Sequence, residues 1–570
     1  MWDTESSGKA AHPPVADAEP VQEGPGRDGT VRNAPARARR AAWTAAIVAG
    51  ILTLFWLYWL QARDEGVGSD AASNVLQGAA MLHGNLLLHG WVMTDVSFYC
   101  TELVQYALLQ TVMAMSPGVV FVAGAMTYLL LLLAACWLAK GRATGRQAMI
   151  RVCAGAAVML APAPGAMLHA PAHLGSALPV LVVWLVIDRC PPRWYVPVAV
   201  CLLLTWGQVA DPLVELTGVA AVALACGARS GLRLLRRRRG GGDHVPAGSP
   251  PWFEPALAAA AVMSAGLSQL ALAAIRAAGG FTVPPLSGSF TGIAGVWEHA
   301  AITGKTLLAL FGTAFWTETP APLPWWQAGF SYVHLAVAAL AAAGLVLALR
   351  RFFEPDALVT AGIAAGIVLN VAVFMTSRFP TDMASGREIS AVLPFSVVLA
   401  GRLVPGFLAG RARLRGLRPA AALTALALVG VAMTAANSAV ARPAPPAQAT
   451  VAGWLSAHQA GDGLALSYWM SNVITVDTGG RVAVRPATVA RGAVAQPAGW
   501  NSDTGWYDPA ENSARFLLTD APAGSGAWKA QLRAAEATFG RPARTYLVDG
   551  DTVWTWPGNI LARLGPAPPK

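Results

Sequence analysis

Of 570 residues, 55% are hydrophobic and only 13% are charged, about half the charge of an ordinary soluble domain. The deficit lies in apolar stretches about as long as a bilayer is thick, which excludes a soluble globular protein. The formal net charge of +10 does not point to nucleic acid, because the basic residues sit in short clusters between apolar runs, the pattern that encodes membrane topology.

Residues 1–40 are rich in Pro, Gly, Ala and charge and read as a disordered basic tail ending in Arg37, Arg39 and Arg40. The apolar run 41–61 follows at once. It lacks a small-residue cleavage pattern and follows too long a tail for a signal peptide, so it reads as a retained anchor with a cytoplasmic N-terminus. Further spans are expected near 118–139, 147–167, 173–188, 194–209, 212–228, 255–276, 327–349, 357–376, 388–405 and 419–440. With about eleven spans, the basic clusters all fall on one side: Lys140, Arg142 and Arg146; Arg189 and Arg193; Arg229, Arg233 and Arg236 to Arg239; Arg350 and Arg351; and Arg411, Arg413, Arg415 and Arg418. The transmembrane domain 41–440 then carries two long outer loops, 62–117 and 277–326. The apolar stretch Thr303 to Phe315 reads as an interfacial helix, since a span there would invert the later charge pattern.

Composition changes after 441. Pro443, Pro445 and Pro446 form a linker into a small extracytoplasmic α/β domain, 441–570. Helices are expected at Thr450 to His458 and Trp528 to Phe539. Strands are expected at Leu464 to Trp469, Val482 to Val484, Phe516 to Leu518, Arg544 to Val548 and Thr552 to Trp556, the last two flanking an Asp549-Gly550-Asp551 hairpin turn. The six cysteines include no CxxC pair and none lies in this domain, so neither a disulfide framework nor a zinc site is expected.

Ionisable groups near span ends are the candidate functional residues, because charge at membrane depth is costly. The loop 62–117 holds Asp64, Glu65 and Asp70 just beyond the first span. If 70–82 is helical, Asp70, Asn74 and Gln77 share one face at i, i+4, i+7, making an amphipathic interfacial helix with its polar stripe on an aqueous cleft. Asp70 also reads as a helix cap, as does Ser69. Thr94-Asp95 reads as a second helix start, with Glu102 beyond it. Asp211 lies in the turn between two spans, before Pro212, where a plain turn role also fits. His169 and His173 have a metal-like spacing that Pro171 breaks. Arg378 and Arg387, beside Glu388, lie on the outer side against the charge rule. A guanidinium there suits a lipid phosphate, and equally an interfacial snorkel. Trp469, Trp500, Trp506, Tyr507, Trp554 and Trp556 are aromatics for a core or for sugar stacking.

In architecture, and in the stretches SDAASNVLQGAAMLHGNLLLHGWVMTDVSFYCTEL, GREISAVLPFSVVLAGR and SNVITVDTGGRVAVRP, the chain resembles the membrane-embedded GT-C glycosyltransferases, in an actinobacterial branch. The resemblance implies a GT-C-like fold and transfer of a sugar from a polyprenyl-phosphate donor to an extracytoplasmic acceptor at the cell membrane, with inversion. It implies an outer-loop carboxylate as general base, Asp70 or the pair Asp64 and Glu65. Asn74, Gln77, Asp95, Glu102, Asp211, Arg378 and Arg387 are the substrate-binding candidates, and cationic groups or a divalent metal would stabilise the leaving phosphate. The rival reading is a non-catalytic membrane protein or a lipid or solute transporter, for which no internal repeat is visible.

Overall fold

The computed structural model describes residues 34–163, 168, 173–239, 250–284, 289–313, 315, 325–412, 418–489 and 494–564; most of the N-terminal tail and His169 lie outside them. The chain divides into two compact units, 1–53 and 54–570. In the first, the helix α1 (Ala34–Ala62) begins, with Trp43, Ile47 and Leu52 exposed, as expected of apolar side chains that face lipid.

The second unit continues with α2 (Ser69–Leu82), α3 (Glu102–Gln110), α4 (Pro117–Lys140), α5 (Gly145–Ala156), α6 (Ala177–Arg189), α7 (Tyr195–Ala210), α8 (Ala221–Arg238, entered through a π-helical turn Glu215–Ala220), α9 (Phe253–Ala277), α10 (Ile293–Leu310), α11 (Trp325–Arg350), α12 (Leu358–Thr376), α13 (Val392–Ala412) and α14 (Pro419–Val440). Pro117 and Pro419 open their helices at the first turn, where a missing N–H costs nothing. Among the described residues, eight helices are long and apolar enough to cross a membrane: α1, α4, α8 with its π-turn, α9, α11, α12, α13 and α14. The chain is a polytopic α-helical membrane protein.

Of the other three expected spans, two form shorter helices than the sequence implies, while α7 has the length expected of 194–209. Helices α5, α6 and α7 have 12, 13 and 16 residues, rising about 18–24 Å, less than the ~30 Å of a hydrocarbon core. The chain beyond α5 is irregular as far as Ala163, with Met159, Leu160 and Ala163 buried in protein, the condition under which non-helical backbone is tolerated at depth; the end of the span expected at 147–167 lies outside the described residues. Thr303 to Leu310 lie in α10, which is not among the eight; Phe311 caps it.

The loop after α1 is a folded layer. Val67, Val75, Leu88, Trp91, Phe98, Leu103 and Tyr106 share a core with Val119 of α4 and Phe281. Helix α2 is walled in: every residue from Ser69 to Ala79 except Asp70 is buried. It is therefore a core helix, not the interfacial helix expected, because both of its sides pack on protein. Gly78 makes this contact: a Cβ there would fall 2.9 Å from Tyr106 Cβ of α3. Thr94-Asp95 starts no helix; the Thr94 hydroxyl bonds Val96 within irregular chain, and α3 starts at Glu102.

The C-terminal region comprises α15 (Ala449–Ala457), β2 (Gly463–Ala465), α16 (Tyr468–Asp477), β3 (Val484–Val489), β4 (Ala495–Pro497), β5 (Ser502–Asp503), β6 (Phe516–Thr519), α17 (Gly526–Phe539), β7 (Arg544–Val548) and β8 (Asp551–Thr555), after the two-residue β1 (Trp91–Val92) of the outer loop. Six strands form a sheet of order β4-β3-β2-β6-β8-β7 in which β2 runs parallel to β3 and β6. Strand alternation gives it two cores: Phe516, Leu518 and Val553 face α15 and α16, whereas Leu517, Trp554 and Phe539 meet on the α17 side. Asp549 and Gly550 take the positive φ angles, 53° and 90°, that a two-residue hairpin turn requires. Tyr468 and Trp469, expected to end a strand, instead begin α16. Helix α16 packs Val473 and Val476 into the outer-loop core, and β5 pairs antiparallel with β1, Trp91 against Asp503. The C-terminal region is thereby docked on the loop after α1.

Candidate active site at the cleft end

One small cleft collects Asp70 and Asn74 of α2, Thr94, Asp95, Val96 and Phe98 of the outer loop, His173 before α6, Arg387 before α13, and Trp500 and Asn501 of the C-terminal domain. Four separate parts of the sequence meet there. It lies where α2, the α7–α8 turn and the Ala384–Ile389 turn converge, at the end of the bundle opposite the basic clusters.

Asp70 is the second residue of α2. The N-cap is Gly68, with no side-chain cap bond, and Ser69 Oγ donates to the Tyr468 carbonyl at 2.8 Å. Neither Asp70 nor Ser69 is the cap. Instead Asp70 Oδ1 accepts from the Tyr468 hydroxyl at 2.6 Å, and Oδ2 lies 3.4 Å from Arg387 Nη1. The Tyr468 hydroxyl itself accepts from Asn501 Nδ2 at 2.8 Å, so its proton points at Asp70. Burial first, then the Asp70 carboxylate, push the phenol well above its ordinary range and keep it a donor. Gln77 reaches the same network from below, donating to Asn501 Oδ1 at 3.3 Å, but does not line the cleft.

Behind Arg387 runs a chain of charges. Arg387 Nε lies 3.5 Å from Glu388 Oε1, which lies 3.5 Å from His173 Nε2; His173 Nδ1 is 2.8 Å from Asp211 Oδ2. Asp211 is fully buried and also accepts from Ser176 Oγ and the Leu213 amide. Burial opposes its charge, but His173 and these donors hold it below the usual carboxylate range. Burial likewise opposes charge on His173, yet Asp211 and Glu388 push it up to about 9. Glu102 is buried beside this pair, hydrogen-bonded by Thr101, and burial pushes it up to about 7. Gly175 lets it in, since a Cβ there would fall 1.9 Å from Glu102 Oε1.

Two cleft groups lack protein partners among the described residues. Asn74 Nδ2 is buried without an acceptor, and Asp95, half-buried in the wall, makes no ion pair or hydrogen bond. Trp500 is 52% exposed and offers a ring at the mouth. Backbone strain gathers here as well: Phe98, His173 and Asn501 adopt φ of 49°, 53° and 44°, a left-handed region rare for such residues and common at working sites.

Of the residues singled out in the sequence, Asp70, Asn74, Asp95 and Arg387 come together in the cleft. Asp211 and Glu102 do not line it; they are buried beneath it, because each is committed to protein donors. Asp64 is exposed and accepts from the Arg442 amide at 3.2 Å, and neither it nor Glu65 reaches the cleft. Arg378 is exposed outside the lining. Tyr468 and Asn501 were not read as functional; the only signal was Ser467 ahead of a buried 3.6-residue pattern at Met470, Val473 and Ile474. Among the described residues no group of three His, Cys, Asp or Glu side chains is arranged to hold a metal ion, and both ring nitrogens of His173 face carboxylates.

No protein-family model and no curated protein matches the chain. Two solved structures of an oligosaccharyltransferase from Archaeoglobus fulgidus align with it. One, AglB in complex with an inhibitory peptide and a dolichol-phosphate, is 11% identical with a TM-score of 0.42, over 89% of this chain and 74% of that one. The other, in complex with Zn and sulfate, is 13% identical with a TM-score of 0.41, over 86% and 69%. Both are of the GT-C type; at this level of likeness the chemistry of the cleft rests on its residues alone.

Proposed function

We propose that the chain is a membrane glycosyltransferase that moves a sugar from a polyprenyl-phosphate donor to an extracytoplasmic acceptor at the cell membrane. The observation that carries this reading is the meeting of Asp70 with Arg387 in a cleft that also offers an orphaned amide and an exposed indole. Arg387 takes the donor phosphate with its guanidinium edge. Its contacts to Asp70 and Glu388 are long, at 3.4 and 3.5 Å, so a phosphate competes well for it. Its shift towards phosphate frees Asp70 Oδ2 to accept the acceptor's hydroxyl proton, while Tyr468 fixes Oδ1. The acceptor oxygen bonds to the anomeric carbon as the bond from that carbon to the phosphate oxygen breaks; polyprenyl phosphate leaves with the electron pair, and configuration inverts. Asn74 and Asp95 hold sugar hydroxyls, and Trp500 stacks on a ring face.

The basic clusters support a cytoplasmic N-terminus, with 441–570 outside. In intact cells an impermeant thiol label should reach Ala530→Cys and not Leu235→Cys; the reverse pattern overturns this orientation. For function, a deletion strain should accumulate the unconsumed lipid-linked sugar, and wild type but not Asp70→Asn should clear it. An unchanged lipid-linked sugar profile in the deletion strain would sink the reading.

A further inference from the structure

We propose that His173 is a positioning residue: anchored by Asp211 and bridged by Glu388, it sets the orientation in which Arg387 meets the donor's phosphodiester and the phosphate monoester that leaves. The inference rests on the glycosyltransferase reading and deepens it. Arg387 has little else to hold it. Its side chain is 49% exposed, its flank is the short turn Ala384–Ile389, and beside the Asp70 contact at Nη1 its anchor is Glu388 at Nε. Glu388 is only 15% exposed at its side chain and leans on His173 Nε2. His173 is fixed in turn, 9% exposed, with φ 53° and Nδ1 on a carboxylate of zero exposure. The order of burial runs from Asp211 outward to Arg387. A rigid base thus carries a free tip, as a ligand-binding guanidinium needs.

The geometry assigns each nitrogen a task. An imidazolium donates from Nδ1 to Asp211 and turns its second N–H, on Nε2, towards Glu388 at 3.5 Å as an ion pair. Glu388 is thereby held where it faces Nε of Arg387, and the Nη edge, 3.4 Å from Asp70 Oδ2, turns from there towards phosphate. Loss of the His173 charge removes the donor to one of its two carboxylates and loosens Glu388. The charged and titratable groups facing His173 are Asp211 from the α7–α8 turn, Glu388 and Arg387 from the turn before α13, and Glu102 from α3.

The test measures binding of farnesyl phosphate to the purified full chain in detergent, with inorganic phosphate alongside. Wild type should bind farnesyl phosphate more tightly than inorganic phosphate, and Arg387→Ala should lose roughly tenfold or more. Glu388→Gln and His173→Gln should each lose about three- to tenfold, and the double variant should lose no more than either, because both cut one chain. In transfer assays these variants should raise KM more than they lower kcat. Wild-type affinity should fall as pH rises through about 9, and His173→Gln should lack that step. Glu388→Gln leaves the His173–Asp211 pair intact, so it decides the matter even if His173→Gln fails to fold. Wild-type-like binding by Glu388→Gln, or losses that add in the double variant, overturns the positioning role alone. No binding by wild type, equal binding of inorganic phosphate, or no effect of Arg387→Ala overturns the phosphate site itself.

Discussion

Arg229 and Arg387 are guanidiniums at opposite ends of one helical bundle, and they are treated differently. Arg229 is 6% exposed. It donates to the carbonyls of Phe352, Glu354 and Pro355 at 2.8, 2.7 and 3.0 Å and pairs with Glu254. Nearby, Arg402 Nη2 binds Asp188 at 2.8 Å while its Nε binds the Leu138 carbonyl. Charge at that end is spent on tying helix ends together. At the cleft end Arg387 is half exposed with long contacts, Asp95 has no hydrogen-bond or ion-pair partner among the described residues, and three residues hold strained backbone. Buried, closely paired charge marks a fastener; half-exposed charge with long contacts beside strained backbone marks a place that awaits a ligand.

Substitutions at the two ends should separate stability from activity. The largest stability effect is expected at the basic end. Arg229→Ala takes one of two guanidinium partners from the buried Glu254 and the donor from three carbonyls, and should cost about 3–5 kcal/mol, read as a lower unfolding midpoint with little change in activity per folded molecule. A variant as stable as wild type would break the comparison. At the cleft, Tyr468→Phe removes one bond to a carboxylate, about 1.5–3 kcal/mol for a charged partner. It should lower transfer roughly tenfold or more and shift the midpoint far less than Arg229→Ala; equal activity would take Tyr468 out of the site.

The smallest effect is in pH dependence. His173 titrates near 9 in the fold against 6.5 ordinarily, so its contribution is complete below about pH 6.5 and lost as pH rises through 9. Glu102, raised by burial to about 7 from 4.5, weakens the fold as pH rises across that earlier window. The midpoint should therefore decline from pH 4.5 to 7 and again up to 9. His173→Gln should flatten only the second decline; an unaltered curve would contradict the charge assigned to His173.

The membrane architecture was legible because hydrophobic length and one-sided charge are local properties of the chain. The early end of α5 and the late start of α6 were not, because the irregular chain beyond α5 is buried among neighbours, a tertiary fact, whereas α7 has the length expected. At the cleft, Asp70 and Arg387 stood out singly, one as a carboxylate beside a span and the other as a cation against the charge pattern. Their meeting across 317 positions is a tertiary fact. Tyr468 was masked by Val, Ile and Thr in 472–476, which favour strands. Packing of Val473 and Val476 against the outer loop makes that segment a helix. His173 was read beside His169 for a metal; its actual partner, Asp211, lies 38 residues away.

The central claim is that Asp70 takes the acceptor's proton. The most direct measurement is single-turnover transfer from a synthetic polyprenyl-phosphate sugar by purified wild type and Asp70→Asn, with donor affinity measured on the same samples. Asparagine keeps the bond from Tyr468 and removes the proton acceptor. The account predicts an intact fold, donor affinity close to wild type and transfer slower by roughly 10²-fold or more. Full transfer by Asp70→Asn would contradict it.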